Sequence, residues 1–173
     1  MAFELREHTA DIAVEATGVD LSAAFGSVAN GLAAASCDDV AESAAGSADE
    51  GSVGADPVLP EIGGDTFEVS VTAESPEALL FDYLDQLIYE RDVRSVLPVD
   101  NRVRIERPGG GDADDGTGTA TDTDDEAAWA LSGTYRGLPL AEIDAREVKA
   151  VTYSEMRLER TETGWVAYVV FDV

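Results

Sequence analysis

The sequence predicts an α+β fold, a single domain of mainly antiparallel β-sheet with two principal helices. Three observations predict it. Short segments alternate apolar and polar residues, two longer windows carry helical spacing behind capping residues, and there are too few helices for the crossovers of a parallel sheet. At 173 residues the chain is most economically one domain over 1–173, long enough to bury an ordinary core.

In chain order, Phe3 and Leu5 alternate with Glu4 and Arg6, and Ile12, Val14 and Ala16 with Ala13, Glu15 and Thr17, so both segments read as half-buried strands. Asp20 is placed to cap a helix whose apolar positions Leu21, Ala24, Phe25, Val28 and Leu32 keep helical spacing, fraying near Cys37. Phe67, Val69, Val71 and Ala73 return to strand alternation. Ser75-Pro76-Glu77 is a helix start, with Ser75 as cap and proline at the first helical position. The helix it opens should bury Leu79, Leu80, Tyr83, Leu84, Leu87 and Ile88 and end near Arg91. Val103 and Ile105 mark a strand that stops at Pro108, and strands follow through Trp129, Leu131 and Tyr135, from Val148 to Arg160, and from Trp165 to Phe171. The last two form a hairpin around Thr161-Glu162-Thr163-Gly164. The resulting order is ββαβαββββ.

Two stretches interrupt this pattern. Residues 38–65, rich in Ala, Gly, Ser, Asp and Glu, and residues 108–126, which run through three glycines into Asp and Thr, offer too little apolar surface to offset chain entropy. Both are expected to be mobile acidic insertions.

Charge is the compositional outlier, with 36 Asp and Glu against 11 Lys and Arg, a formal net charge of −25, and a single lysine, Lys149. The two insertions hold eight and seven acids and no base, so 21 acids still face 11 bases elsewhere. An excess spread through the folded parts fits a halophilic surface, where salt screens the repulsion of hydrated carboxylates, better than a dedicated acidic tail. It excludes autonomous binding to nucleic acid, which needs a basic stripe. Cys37 is the sole cysteine, so neither a disulfide framework nor a cysteine-rich zinc site is available. The N-terminus is charged from its fourth residue and no run approaches membrane-spanning length, so a cytoplasmic protein with no membrane partner is expected.

The candidate chemistry sits at the two ends. Asp172 and Val173 offer a side-chain carboxylate, a backbone carbonyl and an α-carboxylate at the end of an apolar strand, and Asp11 enters a strand near the start. Oxygen donors of this kind suit a hard divalent cation. Taken alone, Asp11 is more readily a turn or solvent residue. His8-Thr9-Ala10-Asp11-Ile12, Val148-Lys149-Ala150-Val151-Thr152-Tyr153, the closing Phe171-Asp172-Val173 and the helix Leu79 to Tyr89 occur in an order that resembles the archease family, colinear over nearly the whole chain.

The resemblance implies that Asp11, Asp172 and Val173 form a metal pocket. The oxygen-only donors put calcium or magnesium ahead of zinc, with manganese an alternative. His8, the only histidine, more readily orders its turn than acts as a base, and His8, Lys149, Thr152 and Tyr153 are candidates to face a partner or support the site. Ser154 stands where family members often carry His, which weakens any mechanism that needs an imidazole there. Asp82 and Asp85 read as the wet face of their helix.

No phosphate-binding glycine loop with lysine, nucleophile elbow or Cys–His pair is present, so an accessory protein is expected ahead of an enzyme. The resemblance implies a protein cofactor of the RtcB-type RNA ligase of tRNA splicing, one that promotes ligase guanylylation and repeated turnover. The alternatives are a general chaperone-like module with a structural metal and a metal-dependent phosphoesterase.

Overall fold

The computed structural model describes residues 2–8, 11–46, 59, 61–108, 111–112 and 128–173. Strands β1 (Ala2–His8) and β2 (Asp11–Gly18) lead into helices α1 (Leu21–Ser36) and α2 (Asp38–Gly46). Then come β3 (Thr66–Ala73), α3 (Pro76–Arg94), β4 (Val96–Arg107), the short β5 (Gly111–Asp112), β6 (Trp129–Pro139), β7 (Ala150–Thr161) and β8 (Gly164–Asp172). The strands form two four-stranded sheets ordered β1-β2-β8-β7 and β3-β6-β4-β5, antiparallel at every pairing.

Both main helices begin where the sequence places them. The Asp20 carboxylate accepts from the Ala23 N–H at 2.7 Å, and the Ser75 hydroxyl from the Ala78 N–H at 3.1 Å, each satisfying an amide left unpaired at a helix start. Each helix packs against both sheets, so one core joins Val14, Val169 and Phe171 of the first sheet, Phe25 and Leu84 of the helices, and Ile105, Leu131 and Tyr135 of the second. Gly31 permits the approach of α1 to β2, because a Cβ there would lie 2.5 Å from the Val14 Cγ1. Among the described residues no helix is long and apolar enough to cross a membrane.

The predicted insertions need correction. Residues 38–46 are α2 rather than mobile loop: Val40 is buried against Ala33, Ala34, Leu97 and Leu138, and Asp38 and Asp39 lie in the first turn, where they complement the helix dipole. Leu59 and Ile62 pack on the same cluster, and the Leu59 N–H donates to the Ser43 hydroxyl at 3.1 Å. One valine in a run of small and acidic residues is enough to dock a helix beside a core that already exists. In the second stretch, residues 111 and 112 pair with Arg107 and Glu106. The rest of both stretches, residues 47–58, 60, 109–110 and 113–126, lies outside the described residues.

Three boundaries also move. α3 runs one turn beyond Arg91, to Arg94, and closes through Ser95 at φ 55°. β4 begins at Val96, and a bulge between Val99 and Arg102 breaks the alternation that would have shown it. The Asn30 Oδ1 holds that bulge, accepting from the Asn101 N–H and Nδ2 at 3.0 Å each. β7 starts at Ala150 rather than Val148.

Candidate metal centre

Asp11 is the first residue of β2 and Asp172 the last of β8, and antiparallel pairing makes them direct register partners. The row extends across the whole sheet, with His8 opposite Asp11 and Ala150 opposite Asp172. Directly opposed residues of an antiparallel pair hold their Cβ atoms about 5 Å apart, within reach of one cation. Buried neighbours fix this register: Phe171, which pairs with Ile12, is fully buried, and Ala13 and Val170 beside them are equally enclosed. A slip by one residue would turn those side chains to the opposite face.

Asp11 is half-buried, Asp172 is exposed, and Val173 follows with 37% of its surface open. The Lys149 N–H donates to the Asp172 carbonyl at 2.9 Å, which ties the entry of β7 to the end of β8 and uses one of that oxygen's two lone pairs. The Lys149 side chain is exposed. Thr152 pairs with Val170, on the same face of the sheet as Asp172, whereas Tyr153 and Ser154 fall within a bulge. Asp82 and Asp85 are exposed on α3, as the wet-face reading expects. The His8 side chain, like Thr9 and Ala10, lies outside the described residues.

Among the described residues no group of three or more His, Cys, Asp and Glu side chains gathers to hold an ion. The donor set at the strand ends is thus two side-chain carboxylates and the oxygens of residues 172 and 173. Such a set fits a hard cation that keeps part of its water shell, as magnesium does with one or two carboxylates, and it would fill a calcium shell only with several waters added.

Sequence reasoning missed two arrangements. Phe81 of α3 lies beneath Tyr153, ring centroids 5.6 Å apart and planes at 72°. Where α3 packs on the second sheet, buried Glu90 accepts hydrogen bonds from Gln86 at 3.1 Å, from the Tyr135 hydroxyl at 3.0 Å and from Arg94, whose guanidinium also lies 4.4 Å from the Phe67 ring centroid. Burial pushes the Glu90 carboxyl up, but the hydrogen bonds from Arg94, Tyr135 and Gln86 outweigh it and hold the group below its ordinary value. Burial and the bond to Glu90 push the Tyr135 hydroxyl up to about 12. The spacing of Gln86, Glu90 and Arg94, four residues apart along one helix, was the available signal.

Together these features define a class: a two-sheet α+β domain that carries paired acids at one end of a sheet. The chain belongs to the archease protein family, whose family model matches residues 3–173. It is 32% identical over 175 residues to the protein archease of Thermococcus gammatolerans, covering 99% of this chain and 98% of that one. Its fold resembles the solution structure of a Methanobacterium thermoautotrophicum protein, with a TM-score of 0.65 and 22% identity over 99% of this chain and 98% of that one. It also resembles the crystal structure of "an archease, possible chaperone" from Thermotoga maritima, at TM-score 0.53 and 23% identity over 97% of this chain and 94% of that one. At these identities the structural likenesses bear on the fold alone.

Proposed function

We propose that this chain is a non-catalytic, metal-binding activator of an RtcB-type RNA ligase in tRNA splicing, acting in the cytoplasm. Membership of the archease family supports the partnership, and the single observation that carries the site is the register pairing of Asp11 with Asp172. Asp11, Asp172 and the Val173 carboxylate would hold a divalent ion, magnesium or calcium ahead of manganese. Such an ion supplies positive charge that neutralises phosphate oxygens during nucleotidyl transfer. The chain's own part is to fix two carboxylates on rigid strand ends and to present them at an exposed sheet end, with Lys149 beside them.

The deciding experiment measures GMP transfer to the purified ligase with and without this chain. Stimulation that disappears in Asp11→Ala is expected. Unchanged guanylylation in the presence of the wild-type chain would remove the reading. The second reading, a chaperone-like module, follows the description of the Thermotoga maritima protein as a possible chaperone and predicts binding to many unfolded clients.

A further inference from the structure

We propose that the Tyr153–Phe81 aromatic pair, with the carboxylates around it, is a docking site for an arginine-bearing basic segment of the partner protein. The proposal rests on the ligase-activator reading and adds where the partner is gripped and by what chemistry.

β7 is the outer strand of its sheet, and its ladder is broken there. Thr152 pairs with Val170 and Arg157 with Tyr168, so the four residues Tyr153 to Met156 face the single residue Val169. Released from the ladder, Tyr153, Ser154 and Glu155 stand exposed at the side of α3. Tyr153 is 53% exposed, yet its ring is fixed edge-to-face against half-buried Phe81. An aromatic ring that is both open and already ordered loses little entropy when a partner covers it, which is how interface anchors behave.

The surroundings select the occupant. Asp82 and Asp85 lie one and four residues beyond Phe81 on α3, Glu155 lies two beyond Tyr153, and all three are exposed. No Lys or Arg occurs in residues 76–90 or 150–156. An exposed aromatic ring with carboxylates one to four residues away on both of its elements matches a guanidinium, which can stack on the ring while its N–H groups reach out to acids. Tyr89 and Val93, 58% and 62% exposed, extend the same side of α3 with apolar surface, each four residues beyond the last. The exposed carboxylates beside the pair disfavour phosphate oxygens, the flanking bases being Lys149 and Arg157, and a second copy of a chain carrying −25 brings more of the same charge. A protein that handles RNA carries basic strips. Tyr153 lies three residues along β7 from Ala150, the register partner of Asp172, so at about 3.3 Å per residue the docked segment would sit roughly 10 Å from the strand-end carboxylates.

The test measures affinity of the full chain for the RtcB-type ligase of the same organism, by biolayer interferometry, alongside guanylylation. Tyr153→Ala should weaken binding about tenfold, as truncation of an aromatic anchor does, while Tyr153→Phe stays within about twofold. Asp85→Asn combined with Glu155→Gln should weaken binding about fivefold, with circular dichroism and melting temperature unchanged in every variant. Wild-type affinity in Tyr153→Ala, with wild-type stimulation intact, would overturn the docking site and leave the ligase reading standing. A wild-type chain that neither binds nor stimulates the ligase would remove both. Dimerisation of the chain, or binding of a single-stranded RNA oligonucleotide, that is lost in Tyr153→Ala would give the face to another occupant and overturn the proposal.

Discussion

Asp11 and Asp172 face each other across β2 and β8, two carboxylates opposed at one sheet end although 161 positions separate them in sequence. Like charges directly opposed in an antiparallel pair destabilise it, and a cation shared between them would relieve that repulsion. Asp172→Asn should therefore stabilise the metal-free protein slightly and abolish divalent binding in calorimetry at high salt. Removal of Val173 should abolish binding too. A divalent affinity that survives both changes would sink the site.

Glu90→Ala should cost about 1–3 kcal/mol, because it leaves the buried Tyr135 hydroxyl without its acceptor and removes the partner of Arg94. The pH dependence follows from the depressed folded value of Glu90. A carboxyl held below its ordinary 4.5 contributes stability that is fully present above that value and is lost as pH falls through the folded value. Melting temperature should fall below about pH 4.5 more steeply in the wild type than in Glu90→Gln. Parallel acid limbs for the two proteins would refute this account.

The order of the main strands and helices was legible because capping residues and alternation are local signals: Asp20, Ser75 and the β2 pattern each sit where the structure uses them. What escaped depends on contacts distant in sequence. α2 exists because Val40 meets Leu97 and Leu138, and the start of β4 is hidden by a bulge that Asn30 secures from 71 residues away. Asp11 and Asp172 were visible as candidates, but only the β2–β8 register makes them neighbours. Tyr153 was visible as a partner-facing candidate, but its contact with Phe81 had no signal, since a helix residue and a bulged strand residue share no period.

Val40→Ala should cost about 2 kcal/mol, the order expected for deleting two buried methyl groups and leaving a partial cavity. Replacing residues 41–63 by a short Gly-Ser link should lower the melting temperature further, because it removes most of α2 together with Leu59 and Ile62. The same replacement across 113–126 should be near neutral, since that composition supplies no core side chain and loop length alone costs little. Equal melting temperatures for the two deletions would contradict the docked α2.

Withdrawing salt should destabilise the fold. At 1 M the Debye length is about 3 Å and at 0.1 M about 10 Å, so dilution lets exposed carboxylates repel neighbours about three times farther away. The described ion pairs Arg94–Glu90, Arg136–Asp100 and Arg146–Asp38 bind one acid each, and 11 Lys and Arg cannot neutralise 36 Asp and Glu. Thermal melts across a potassium chloride series provide the measurement. A midpoint that stays flat or rises on dilution would remove the halophilic account.

Asp11→Ala is the sharpest probe of function, because Asp11 reaches the site from the opposite end of the chain to Asp172 and Val173. If the three act together, Asp11→Ala and Asp172→Ala should each lose stimulation of ligase guanylylation, and the double variant should lose no more than either alone. Additive losses would mean two separate contacts with the ligase instead of one composite site. Circular dichroism controls for the integrity of β1 and β2, which pair through His8 and Asp11. On the activator reading, the chain alone should show no phosphatase, nuclease or ligase turnover, its carboxylates serving to position a metal for the chemistry of the ligase. RNA-end hydrolysis by the purified wild type, lost in Asp11→Ala, would make the same carboxylates the centre of an enzyme and overturn the activator reading.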